Sequence, residues 1–214
     1  MRIGVLGSGM VGQAIAAKLV ELGHDVMVGT RSPEKLQEWR KGVGERAQVS
    51  SFAATAAHGE IVFNATSGAG SLKALGLAGA ENLNGKILID IANPLDFSNG
   101  MPPSLFISNT DSLGEQIQRA FPDVLVVKTL NTMNASLMVN PRQVADGDHH
   151  IFVCGNDAQA KARVTEILTD WFGWRNVIDL GDITTARGTE MLLPIWVRLW
   201  GALGTPMFNF KIAR

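Results

Sequence analysis

Three glycines and one arginine carry the chemistry that can be read first. The stretch "IGVLGSGMVGQAIAAKL", Ile3 to Leu19, sets Gly7, Gly9 and Gly12 between a short apolar run and a segment of helical periodicity. Glycines at this spacing serve a phosphate. The first permits a tight turn, the second lets the backbone approach a pyrophosphate, and the third lets the helix lie close on the strand. The unpaired amides and positive end of that helix then face the anion, with Ser8, Met10 and Val11 supplying backbone donors. A glycine turn of purely structural purpose is the alternative.

The next stretch decides which nucleotide. In "VMVGTRSPEKL" the end of the second strand carries Thr30, Arg31 and Ser32, where an acidic residue would accept hydrogen bonds from an adenine ribose. A guanidinium flanked by two hydroxyls fits a 2′-phosphate instead, so the expected cofactor is NADP(H). Charge-assisted hydrogen bonds contribute roughly 1.5–3 kcal/mol each, which predicts about tenfold or greater preference for NADPH over NADH. Lys35, one helical turn on, adds attraction or is a solvated surface lysine.

In an open α/β sheet the ligand cleft lies outside the carboxyl ends of the strands. Its expected lining comes from the loops Ala65–Ser67 (Ala65, Thr66, Ser67), Ala92–Pro94 (Ala92, Asn93, Pro94) and Thr129–Met133. Asn64, Thr66 and Ser67 are candidates for the nicotinamide ribose or carboxamide. Hydride transfer requires mainly that donor and acceptor carbons be held about 3–3.5 Å apart, without a dedicated acid or base. The sequence offers no clear catalytic dyad. Lys128 and Asn131 are best placed to polarise a carbonyl or imine, and Lys128 is equally a strand-end structural charge. His149 and His150 are neighbours that point apart in an extended segment, and no third ligand is spaced with them, so no metal is expected. Cys154 reads as a small core hydrophobe. Trp196 and Trp200 share a helical face and read as core, as a subunit contact, or as a wall against a flat ring, the contact being favoured.

These residues need a scaffold, and the pattern supplies one. Strands are expected at Ile3–Gly7, Asp25–Gly29, Gln48–Ser50, Ile61–Thr66, Lys86–Ile91, Val124–Thr129, Ile151–Cys154 and Asn176–Asp179. Helices are expected at Met10–Leu22, Pro33–Lys41, Ser51–His58, Leu113–Ala120, Asp157–Phe172 and Thr184–Leu203, with Asp157 as a cap and Asn93–Ser104 as loop. The expected fold is α/β, a Rossmann-type doubly wound and mostly parallel sheet over residues 1–180, with a small C-terminal helical extension over residues 181–214. That extension is the expected substrate wall and dimer contact.

Composition narrows the rest. The 214 residues are 46% hydrophobic and 18% charged, enough for a substantial core, and a net charge of −1 without a basic run excludes a nucleic-acid footprint. A single cysteine excludes an internal disulfide, and the first strand begins at Arg2, so a cytoplasmic location is expected. The apolar segment Met191 to Phe208 holds Pro194, Arg198, Gly201, Gly204 and Pro206 and is expected to be a buried helix or subunit interface, not a membrane span.

The glycine motif "GSGMVG", the basic "GTRSPEKL", "DIANPL" after the fifth strand and "VVKTLNT" after the sixth together resemble the deazaflavin-dependent NADP reductase family. The resemblance implies a Rossmann domain that moves hydride between NADP(H) and the deazaflavin coenzyme F-420. It extends to the nucleotide-binding domains of membrane ferric reductases. Its specific part is the N-terminal half. The C-terminal half matches in layout, with "CGNDAQAKARVTEIL" and a closing apolar helix, and holds no residue signature that requires F-420. An NADPH-dependent reductase of a small imine, carbonyl or flavin, and a noncatalytic NADP sensor, therefore stand beside it. A small-molecule redox substrate and a homodimer are expected in either enzymatic reading.

Overall fold

Short β-branched runs and helices alternate along the whole chain in the computed structural model, which describes residues 1–214. The strands are β1 (Arg2–Leu6), β2 (Asp25–Gly29), β3 (Ala47–Ser50), β4 (Ile61–Asn64), β5 (Ile87–Asp90), β6 (Leu95–Asp96), β7 (Ser104–Leu105), β8 (Leu125–Lys128), β9 (His150–Gly155) and β10 (Asn176–Asp179). The helices are α1 (Met10–Glu21), α2 (Gln37–Val43), α3 (Phe52–His58), α4 (Gly68–Ala78), α5 (Ala80–Leu83), α6 (Leu113–Ala120), α7 (Ala135–Val139), α8 (Ala158–Glu166), α9 (Ala186–Met191) and α10 (Leu193–Leu203).

Eight strands form one sheet in the order β10-β9-β8-β5-β4-β1-β2-β3, and β6 pairs only with β7 in a separate antiparallel hairpin. All sheet pairs are parallel except β8 with β9. This is the Rossmann-type α/β fold: after β3 the chain crosses back to β4 on the other side of β1, and that switch point opens the ligand cleft. Adjacent residues on the central strands supply opposite faces. Val5, Phe63, Ile89 and Val127 feed one core, and Leu6, Val62, Leu88 and Val126 feed the other. A sheet covered by helices on both faces requires this, and it explains the near-continuous apolar runs.

Several elements differ from expectation. Helices α4, α5 and α7 fall where no element was expected. Gly68, Gly70 and Gly76 disguise α4, yet Ser71, Ala74, Leu75 and Ala78 give it a buried stripe at helical spacing. The segment expected as one helix over 184–203 is a 3-10 turn, Ile183–Thr185, followed by α9 and α10. Pro194 at the head of α10 has no N–H to continue an earlier helix, and Gly204, at φ +67°, ends it. Asp157 caps α8 as expected, accepting from the Ala160 amide at 2.7 Å, but the helix passes into a π turn at Ile167–Trp171. Within the expected loop 93–104 sits the β6–β7 hairpin.

The C-terminal residues return to the start of β9. The His150 amide donates to the Phe210 carbonyl at 3.0 Å, and Asn209 donates to the carbonyl of His150. His149 is buried, with Nε2 2.9 Å from the Pro141 carbonyl, Nδ1 2.8 Å from Asn209, and its ring edge-on to Trp174. Cys154 lies fully buried in the core, where burial pushes its thiol up to about 11. No helix is long and apolar enough to cross a membrane.

Candidate functional site

The glycine loop divides its labour. Gly7 turns the chain at φ +117°, and a Cβ on Gly12 would lie 2.0 Å from the Gly7 carbonyl oxygen, so both are demanded by the approach of α1 to β1. A Cβ on Gly9 would meet nothing within 4 Å. Gly9 therefore owes nothing to the packing of the protein; it borders the cleft at the head of α1, the open cradle a pyrophosphate needs. The Ser8 and Thr30 hydroxyls lie 3.0 Å apart, and Thr30 Oγ1 also accepts the Ser32 amide at 3.2 Å, which ties the loop to the end of β2.

Around this loop runs a cleft of about 570 Å³. Gly7, Ser8, Gly9, Thr30, Arg31, Ser32, Lys35, Ala65, Thr66 and Ser67 all line it. A third cation joins Arg31 and Lys35 that sequence reasoning missed: Lys73, on α4. All three are exposed and free of ion pairs, in contrast to the neighbouring Lys18 and Lys41, which are paired with glutamates. The only signal for Lys73 was its place on a helix hidden by glycines.

A second cleft, of about 440 Å³, continues from the first across Ala65, Thr66, Ser67 and Ala69. Val11, Ala92, Asn93 and Asn131 line it, with Ile91, Leu95, Phe97, Met133, Met138, Leu193 and Trp196 forming apolar walls. Asn93 and Asn131 clasp each other: Asn93 Nδ2 donates to the Asn131 carbonyl at 2.8 Å, and Asn131 Nδ2 donates to Asn93 Oδ1 at 2.9 Å. That pairing fixes the loop after β5 to the loop after β8. Trp196 stacks on Phe208 at 5.4 Å and meets Trp200 at 5.7 Å, so the end of the chain backs this wall.

Some expected residues stand elsewhere. Met10 is 79% exposed and lines neither cleft; only its backbone remains available at the helix start. Pro94 is buried behind the site, its carbonyl accepting the Phe106 amide at 3.0 Å and so anchoring the β6–β7 hairpin.

Lys128 needs the clearest correction. It is fully buried and lines neither cleft, and its ammonium donates to Asp90 Oδ2 at 2.9 Å, to Glu190 Oε1 at 2.8 Å and to the Ala92 carbonyl. All three N–H groups are thus committed. Burial works against the charge, but Asp90 and Glu190 outweigh it and hold the ammonium above the ordinary lysine range. Lys128 is the strand-end structural charge, not a group facing a substrate carbonyl.

It also anchors a buried polar chain. Asp90 Oδ1 accepts from Asn64 Nδ2 at 2.8 Å, and Asn64 Oδ1 accepts from the Thr66 hydroxyl at 2.7 Å. At the other end Glu190 accepts the Leu113 and Gly114 amides at 2.8 and 3.0 Å, satisfying the head of α6. The C-terminal extension is thereby connected through four links to Thr66, which borders both clefts.

A Rossmann sheet, an open phosphate loop, three free cations around one cleft, Arg31 after β2, Lys35 in the turn that follows and Lys73 on α4, and an adjoining apolar cleft define a site of the kind that holds a phosphorylated dinucleotide. The comparisons agree. Residues 2–94 match the family described as NADP oxidoreductase coenzyme F420-dependent. A crystal structure of a candidate F-420-dependent NADP reductase from Arthrobacter sp. FB24 is 61% identical, covers 100% of both chains and superposes with a TM-score of 0.96. The chain belongs to this family. It is also 31% identical over 202 residues to metalloreductase STEAP3 of Rattus norvegicus, covering 91% of this chain and 38% of that protein. The curated relatives it matches are thus more than twice its length. A reductive aminase from Aspergillus terreus in complex with NADPH and ethyl levulinate shares the fold, with a TM-score of 0.68 at 16% identity over 95% of this chain and 62% of that one.

Proposed function

We propose that the protein transfers hydride between NADP(H) and the deazaflavin ring of coenzyme F-420, in the cytoplasm and as a homodimer. The observation that carries this reading is the continuity of the two clefts: one basic and lined by a phosphate loop, the next apolar, aromatic-walled and large enough for a ring. The residues present fit the nucleotide, since Gly9 leaves its cradle open and three cations stand free of ion pairs beside it. NADPH supplies the hydride with its electron pair. Arg31, Lys35 and Lys73 hold the 2′-phosphate end, and the amides at the head of α1 take the pyrophosphate. Thr66 and Ser67, at the junction of the clefts, orient the nicotinamide ribose or carboxamide. Met133, Met138 and Trp196 exclude water from the space beyond it.

The test mixes purified protein with NADPH and F-420 and follows both absorbance bands. Loss of the two bands together, one equivalent for one, is expected. An unchanged deazaflavin band with NADPH bound overturns the reading. A second reading, reduction of a small imine, draws support from Asp96, the single charged residue lining the apolar cleft, which suits an iminium cation. NADPH consumption with a cyclic imine in place of F-420 tests it.

A further inference from the structure

The two clefts are opposite in charge. The nucleotide cleft presents Arg31, Lys35 and Lys73, while the apolar cleft presents one carboxylate, Asp96, and no cation. Asp96 lies on β6 and has no cationic partner; its Oδ1 accepts the Ser98 amide at 2.9 Å. That backbone hydrogen bond holds its carboxyl below the usual carboxylate range, so it is ionised at neutral pH. Beside it Phe97 stands 56% exposed, and Trp196 is held by its stack on Phe208.

We propose that the acceptor is recognised by its ring alone, and that Asp96 keeps any anionic substituent of that ring out of the cleft. The inference rests on the hydride-transfer reading and names what the acceptor side of that site selects. An anion entering this cleft meets a solvent-facing, unpaired carboxylate and no lining cation to offset it, so like charges repel. A flat uncharged ring meets Phe97, Met133 and Trp196 instead and loses water from both faces.

Two pairs of probes share a ring and differ in the charge of its side chain: riboflavin with FMN, and the deazaflavin nucleoside with F-420. Binding in the presence of NADP⁺ is read by quenching of tryptophan fluorescence, and turnover by NADPH oxidation. The uncharged member of each pair is expected to bind at least as tightly as the charged one. Asp96→Arg should tighten FMN and F-420 by about tenfold while moving their uncharged partners less than about threefold. Asp96→Asn, which keeps an acceptor for the Ser98 amide, should fall between. Tighter binding of FMN and F-420 to the wild type by about tenfold overturns the proposal. So does an equal effect of Asp96→Arg on both members, and so does the absence of quenching by every ring. Binding in the expected order without NADPH oxidation supports the charge rule and overturns hydride transfer.

Discussion

Arg31 and Lys73 reach one cleft from different elements, the end of β2 and the middle of α4. Each charge-assisted contact to a 2′-phosphate is worth roughly 1.5–3 kcal/mol. Arg31→Ala should therefore weaken NADPH binding by at least about tenfold and leave NADH binding nearly unchanged, as calorimetry would show. Lys73→Ala should act in the same direction by about threefold to tenfold, its exposed ammonium being screened by solvent. Equal losses for NADH and NADPH would place Lys73 on the pyrophosphate instead. Arg31 was legible in sequence because its position is fixed by the strand that precedes it. Lys73 was not, because α4 opens "GAGSLKALG" and its glycines read as breakers until the sheet is present to bury Ala74 and Leu75. The choice between the two readings of Lys128 was not legible for a related reason: its strand end was placed correctly, but its partners Asp90 and Glu190 lie 38 and 62 residues away and nothing local announces them.

At the scale of elements, the docking of α9 on α6 rests on two acids. Glu190 of α9 caps the head of α6 and pairs with Lys128, while Glu115 of α6 pairs with Arg187 of α9 at 2.8 and 2.5 Å. Glu190→Ala leaves a buried ammonium with one acid fewer and two amides unpaired, and should cost about 3–5 kcal/mol in urea unfolding. Arg187→Ala, at a partly exposed pair, should cost no more than about 1 kcal/mol. The sequence showed a helix at Leu113–Ala120 and helical periodicity after Thr184. It did not show the break before Pro194 or the inward turn of Glu190, since both depend on where α9 meets the sheet. The same helix sets a pH response. Asp111 is held down to about 2, chiefly by its hydrogen bonds to Arg119. A depressed folded-state value means that this contribution is complete above about pH 4 and is lost as pH falls toward about 2. Because Arg119 is 59% exposed, the effect is at most about 1 kcal/mol. Asp111→Asn should thus narrow the stability difference between about pH 5 and pH 2.5, measured by urea titration.

Across the whole molecule exposed apolar side chains are scattered, but α10 carries three, with Ile195 48% exposed, Trp200 41% and Leu203 56%. A soluble protein seldom leaves such a stripe to water, and twofold association covers it most simply. The wild type should sediment as a dimer at tens of micromolar, and Trp200→Glu as a monomer with unchanged NADPH affinity. A monomeric wild type would overturn the dimer. The parallel core and its switch point were readable from alternating runs and the phosphate loop, both local signals. The reversal of β9 was not, because strand direction depends on the route the chain takes through α7 and the turns before His150.

The four-link chain from Glu190 to Thr66 bears on how far such a protein can be taken apart and recombined. The sheet holds the Lys128–Asp90 pair and the extension adds Glu190, which takes both the ammonium and the amides at the head of α6, so the buried polar centre is complete only when the two halves are together. A hybrid joining residues 1–180 to the tail of another family member inherits the buried Lys128–Asp90 pair whatever tail is chosen. Grafts that bring a carboxylate to the place of Glu190 should yield folded chimeras; grafts that bring an alanine or leucine there should recover stability with Lys128→Met and Asp90→Asn together, since Lys128→Met alone leaves the buried Asp90 carboxylate unpaired.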